Sequence, residues 1–172
     1  HVTAIDASDE MLRVARARAE SRGAAIRFET GDAHQLAHRD GSFDIAVCLR
    51  VLMHTPDWRQ CVGELCRVSR HRVIVDFPAL GSVAAVQSVS RRLARAAGAN
   101  VEAYRVLAEA AVSSAFESHG FRITRIHRQF VLPIALHKRL GSRAATERLE
   151  GMLAGVGLLR LAGSPVTVLA ER

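Results

Sequence analysis

Apolar and polar positions along the chain change period several times, and each change marks an element. Val2 to Ile5 is a short apolar run closing on Asp6, and Ala7-Ser8-Asp9-Glu10 follows as a helix start with acidic residues in the first turn. That helix carries Leu12, Ala15 and Ala19 on one face, Arg13, Arg16 and Arg18 elsewhere, and stops at Gly23. Ile26 and Phe28 alternate with Arg27 and Glu29, predicting a second strand that ends in Gly31-Asp32. Phe43 to Leu49 is apolar except for Asp44, as expected of a parallel strand covered on both faces. Pro56-Asp57 opens a helix in which Trp58, Cys61, Val62, Leu65 and Val68 repeat at helical spacing, closing near Ser69 to His71; Val73-Ile74-Val75-Asp76 is the next strand.

Beyond Pro78 the pattern loosens. Val83, Val86, Leu93 and Ala97 predict an amphipathic helix carrying Arg91, Arg92 and Arg95 and interrupted at Gly98, and a further helix runs to about Ser118 with Val112, Ala115 and Phe116 inward. His119-Gly120-Phe121 leads into a strand from Arg122 to about Phe130, broken at Pro133; a helix spans about Ala144 to Leu153, and Pro165 to Leu169 is the last strand. Strands alternating with helices over short loops predict an α/β fold, a doubly wound and mostly parallel sheet with helices on both faces. At 172 residues we expect one domain.

Composition narrows the classes. Nearly half the residues are apolar and about a quarter charged, which excludes a disordered or fibrous chain. No apolar run approaches the roughly 18 residues of a membrane span, and the expectation is a cytoplasmic protein. The net charge of +7 invites a nucleic-acid partner, but the basic residues are scattered and all except Lys138 are Arg, a bias that fits GC-rich coding better than a phosphate-binding face. Nucleic acid is therefore not the expected partner. Cys48, Cys61 and Cys66 form no C-x-x-C pair and read as reduced, buried thiols; Cys61 and Cys66 with His54 match no usual zinc spacing, and no metal is expected. His34 and His38, four apart in a polar loop, read as solvent-facing.

An acid at the end of the second strand of a doubly wound sheet is placed to accept hydrogen bonds from both ribose hydroxyls of a nucleoside cofactor. Asp6 occupies an acidic strand end of that kind, and capping of the following helix is its alternative role. Four segments then stand in order: Asp6-Ala7-Ser8-x-x-Met11-Leu12, Gly31-Asp32-Ala33, Gly41-Ser42-Phe43-Asp44 and Val51-Leu52-Met53-His54-x-Pro56-Asp57. Together they resemble class I S-adenosylmethionine-dependent methyltransferases of the ubiquinone/menaquinone-biosynthesis type, over residues 1 to about 78, and more weakly beyond through Gly120-Phe121 and the final strand. The resemblance implies a Rossmann-like fold, S-adenosyl-L-methionine as cofactor and a small-molecule acceptor methylated on oxygen or carbon. Residues 1–78 would then be a cofactor-binding half, and residues 79–172 an acceptor-binding and C-terminal strand region.

By the same resemblance Asp6 binds the ribose, Ala7 and Met11 pack beside the adenine, Asp32 hydrogen-bonds the adenine amino group, Ala33 offers its backbone amide, and Leu49 lines the sulfonium side. Helix packing remains the other reading of Met11, and a turn role that of Asp32. His54 is the first candidate general base for a hydroxyl acceptor, or else fixes the loop before the Pro56 helix; Asp76 is the second candidate. Tyr104, Arg105, His127, Arg128 and Gln129 fall where the family builds its acceptor pocket.

The family's first strand lies between the strand ending in Asp6 and the strand ending in Leu49, and carries the glycine-rich loop. Only five residues precede Asp6, whereas those glycines come about 20 residues before the ribose acid. The expectation is an N-terminally truncated domain with two strand edges unpaired. Three other readings remain: a non-catalytic methyltransferase-like binding protein or fragment, an RNA methyltransferase, and, fitting the second and fourth segments poorly, a nicotinamide dehydrogenase. Oligomeric state is not legible.

Overall fold

A computed structural model of the chain describes residues 1–82, 104–131, 141–155 and 157–172. The helix expected around Val83 to Ala97 and the break at Pro133 lie outside the described residues.

Strand β1 (Val2–Asp6) pairs in parallel with β2 (Ile26–Thr30) across helix α1 (Asp9–Ser21). The helix begins where the sequence signals it: the Ser8 hydroxyl accepts the Met11 amide at 3.3 Å, Asp9 and Glu10 occupy the first turn, and Leu12 and Ala19 are the residues it buries. Its end is set by Gly23, whose φ of +63° is cheap only for a residue without a Cβ.

Strand β3 (Phe43–Cys48), helix α2 (Trp58–Val68) and β4 (Ser69–Phe77) form the next unit, with β3 and β4 parallel. The Asp57 carboxylate caps α2 by accepting the Gln60 amide at 3.2 Å. Strand β4 starts four residues earlier than Val73, directly from the end of α2. Helix α3 (Glu109–Glu117) leads to β5 (Arg122–Arg128), then helices α4 (Arg143–Gly155) and α5 (Leu158–Ala162), and β6 (Val166–Glu171). The second sheet has the order β3-β4-β6-β5, with β6 antiparallel to both neighbours.

The core lies on one face of that sheet. Ala46, Cys48, Val73, Val75, Phe77, Val166, Val168 and Ala170 pack against Trp58, Cys61, Val62, Leu65 and Cys66 of α2 and Val112, Ala115 and Phe116 of α3. Each fully buried aliphatic or aromatic side chain contributes about 1.5–3 kcal/mol, so this layer is where the fold's apolar stabilisation is concentrated.

The expectation that β3 is covered on both faces does not hold. Ala46 and Cys48 are buried, but Ile45 and Val47 are 46% and 57% exposed, as is Leu49 just beyond them. The described helices that pack on this sheet, α2 and α3, lie on the other side. The sheet is also divided: β1-β2 and β3-β4-β6-β5 are separate, and β1 and β3 each keep an edge without a strand neighbour among the described residues.

What joins the two sheets is the segment from Asp32 to Gly41, which runs along α2 from its first turn to its last. The Gln60 side-chain amide donates to the His34 carbonyl at 3.0 Å, and the Leu36 amide donates to Glu64 Oε2 at 2.8 Å. Arg67 then closes the seam: its guanidinium donates to Glu64 at 2.7 and 2.8 Å, to Asp40 at 2.9 Å, and to the carbonyls of Leu36 and His38 at 2.9 and 2.7 Å. The Arg67 carbonyl in turn accepts the Gly41 amide at 2.9 Å. This path places the carboxyl ends of β2 and β3 on one side of the molecule.

Candidate functional site

Loops that leave the carboxyl ends of parallel strands are where open α/β sheets hold ligands. Asp6 and Asp32 meet at such an end because β1 and β2 are in register, Asp6 opposite Thr30, with the Gly31 amide donating to the Asp6 carbonyl at 3.1 Å. Gly31 permits this approach: a Cβ there would sit 2.8 Å from the Ile5 side chain. The Asp6 carboxylate is exposed, and Oδ1 accepts the Ser8 amide at 2.9 Å. Ser8, not Asp6, is the N-cap of α1. A carboxylate offers about four acceptor positions, so Asp6 keeps capacity for a diol.

Asp32 forms an Asx turn. Its Oδ1 accepts the His34 amide at 2.9 Å and meets His34 Nδ1 at 2.8 Å, and these bonds hold its carboxyl below the usual carboxylate range. The carboxylate that makes the turn remains exposed. Ala33 packs against the core, and Ala7 is exposed. Met11 is 56% exposed, so α1 does not use it for packing on its inner face. His34 and His38, expected to face solvent, are instead partly buried: His38 Nε2 lies 3.2 Å from Glu29 and its ring meets Phe43 edge-on at 4.9 Å. The loop folds back on α2 and β3, which a local polar pattern does not reveal. Among the described residues no group of three potential ligands could hold a metal.

Leu49 stands at the end of β3, 51% exposed, beside a second cluster. Arg50 follows with φ of +63°, the left-handed region that costs a non-glycine residue roughly 1–2 kcal/mol. Its amide donates to Asp76 Oδ1 at the end of β4, where Asp76 is only 5% exposed. The Val51 carbonyl accepts the His54 amide at 2.9 Å and the Thr55 hydroxyl at 2.7 Å, closing the loop. His54 is exposed on this loop, its ring edge-on to Tyr104 at 6.4 Å. The neighbouring Arg105 donates its amide to the Met53 carbonyl at 2.9 Å and its Nε to the Thr55 carbonyl at 3.3 Å.

Of the acceptor-pocket candidates, Tyr104 and Arg105 are thus brought to His54. Arg128 is committed to Glu109, with both carboxylate oxygens at 2.6 Å. The Gln129 amide donates to the Pro165 carbonyl, and His127 is exposed on β5. Sequence reasoning missed the Glu64–Arg67 clamp. The only signal was a Glu-Arg pair three apart on α2, which says nothing of the loop that Arg67 reaches.

The thiols lie beneath the site. Pairing with Cys61 and burial both push the Cys48 thiol up, whereas Cys61 is held down by its pairing with Cys48 against the effect of burial, and burial pushes Cys66 up to about 12.

Comparison with known proteins yields a consistent set of likenesses. Residues 1–75 match the model of a methyltransferase domain family. The chain is 29% identical over 174 residues to a demethylmenaquinone methyltransferase of Thermus thermophilus, covering 95% of this chain and 72% of that protein. It is 33% identical over 114 residues to the protein of the same name from Deinococcus radiodurans, covering 60% of this chain and 47% of that one. The fold matches the crystal structure of magnesium protoporphyrin IX methyltransferase from Synechocystis with bound S-adenosylhomocysteine, with a TM-score of 0.64 and 19% identity, over 99% of this chain and 64% of that one. The chain is thus shorter than each of these relatives.

Proposed function

We propose that the chain is a class I S-adenosylmethionine-dependent methyltransferase that transfers a methyl group to a small-molecule acceptor at the carboxyl ends of β1 to β4, a reading supported by the methyltransferase-domain match and the methyltransferase relatives. The observation that carries the reading is the convergence of Asp6, Asp32 and Leu49 at one end of the sheets, held there by the β1–β2 register and the loop along α2.

The residues present fit the cofactor. Asp6 offers exposed carboxylate capacity for the ribose hydroxyls, each charge-assisted hydrogen bond contributing roughly 1.5–3 kcal/mol. The Asp32 carboxylate would accept a hydrogen bond from the adenine amino group, and the Ala33 amide and the exposed Ala7 and Met11 would line the base. Leu49 would line the sulfonium side. When bound, S-adenosylmethionine supplies a methyl carbon activated for in-line displacement, so the chain's main task is alignment, which can lower a barrier by roughly 7–11 kcal/mol. His54 takes the proton of a hydroxyl acceptor, with Tyr104 and Arg105 shaping the acceptor side.

The quinone-type names of the relatives favour an aromatic or quinol-like acceptor. No helix among the described residues is long and apolar enough to cross a membrane; a cytoplasmic location is a separate part of this proposal. Residues 1–78 serve as the cofactor-binding half and residues 79–172 as the acceptor side of one domain. The edges of β1 and β3 that have no strand neighbour among the described residues support a further strand between them, whose glycine-rich loop would hold the methionine moiety.

Calorimetric titration with S-adenosylhomocysteine tests the reading. Restoring a strand-turn-helix of about 40 residues upstream is expected to tighten binding well beyond that of the present chain. Equal affinity of the two would reject the missing strand, and no binding by either would reject the function.

A further inference from the structure

We propose that Asp76 acts as a positioning residue: its carboxylate anchors the left-handed Arg50 and thereby sets the loop from Leu49 to Thr55, including His54, at the mouth of the cleft. The sequence left Asp76 as an alternative acid-base group. Its burial and the amide it already holds assign it to the backbone instead.

Three observations bear on this. Arg50 is the only non-glycine residue with positive φ among the described residues, so the chain turns off β3 through a conformation its side chain disfavours. The side-chain acceptor of the Arg50 amide comes from β4, the neighbouring strand, which ties the turn to the sheet and not to the loop itself. The rest of the loop hangs on this point: the Val51 carbonyl takes both the His54 amide and the Thr55 hydroxyl, and Arg105 fastens Met53 and Thr55 from the other side. Releasing Arg50 therefore releases Leu49 and His54 together. The consequence for cofactor binding rests on the methyltransferase reading; the anchoring itself does not.

The test compares Asp76→Ala, Asp76→Asn and the double variant Asp76→Ala with Arg50→Gly in the full chain. Amide hydrogen exchange at residue 50 reports the anchor, and calorimetric titration with S-adenosylhomocysteine reports the cleft. Asp76→Ala is expected to speed exchange at Arg50 at least tenfold and to weaken binding at least fivefold. Asp76→Asn, whose amide oxygen still accepts a hydrogen bond, should stay within about threefold of the parent in both. Glycine adopts the positive φ unaided, so the double variant should recover affinity to within about threefold. Unchanged exchange in Asp76→Ala, an Asn variant as damaged as the Ala variant, or no recovery with glycine would each overturn the proposal. Should Asp76→Ala fail to fold, the Asn and double variants decide it. If the parent chain binds no S-adenosylhomocysteine, the functional reading fails while the exchange measurements still decide the anchoring.

Discussion

Arg67 offers the sharpest test of how the two sheets are held together. Its guanidinium makes five hydrogen bonds, three to the carboxylates of Glu64 and Asp40 and two to the carbonyls of Leu36 and His38. In Arg67→Ala those carbonyls and Glu64 lose a charged donor, at about 1–3 kcal/mol for each buried group left unsatisfied. The Arg67 side chain is 30% exposed, so water replaces part of the loss, and a net cost of about 2–4 kcal/mol follows after discounting for solvent screening. For a domain of this size each kcal/mol shifts the melting temperature by about 2–4 °C, giving an expected drop of roughly 5–12 °C. Arg67→Lys keeps the charge but not the planar fork, and should lose at least about half as much. Calorimetric melting at neutral pH reads both. A shift of less than about 2 °C in Arg67→Ala, or a lysine variant as stable as the parent, would show that the loop is held by packing and that the clamp is incidental.

Four further outcomes are expected. Asp6→Ala should weaken S-adenosylhomocysteine binding by about tenfold or more, the equivalent of one charge-assisted hydrogen bond, and equal titration curves would remove Asp6 from the site. Gly31→Ala should destabilise the chain by about 1–3 kcal/mol in denaturant unfolding, because the new methyl collides with Ile5. On acidification, Glu64 and Asp32 carry folded-state pKa values lowered chiefly by Arg67 and His34 respectively; their contribution to stability is full above about pH 4.5 and is lost as pH falls through the depressed values. A melting temperature independent of pH between about 5 and 3 would contradict this. The thiols of Cys48 and Cys66, both raised by their surroundings, should react with a thiol reagent at neutral pH only after unfolding, which a timed absorbance assay with and without denaturant resolves.

Most of the elements were legible because their signals are local. Ser8 and Gly23 bound α1, Asp57 opens α2, and the inward positions Trp58, Cys61, Val62 and Leu65 are the buried ones. The ribose candidate Asp6 also follows from a local pattern, an acid closing an apolar strand, whereas the adenine candidate Asp32 rests on the family resemblance. By themselves, period and caps determined the order of most elements, though not the short helix Leu158–Ala162.

The tertiary structure decided the remainder. Whether Ile45 and Val47 are covered depends on what lies across the sheet, so their apolar character predicted burial where the structure has exposure. His34 and His38 read as solvent-facing because nothing within ten residues announces that their loop folds onto α2. The partnership of Arg50 with Asp76 spans 26 positions, and that of Arg67 with the carbonyls of Leu36 and His38 spans 31 and 29. Such contacts join groups whose sequence neighbourhoods carry no trace of each other. Their geometry exists only once β3, β4 and α2 are packed, because hydrogen bonds act over about 3 Å of space regardless of separation along the chain.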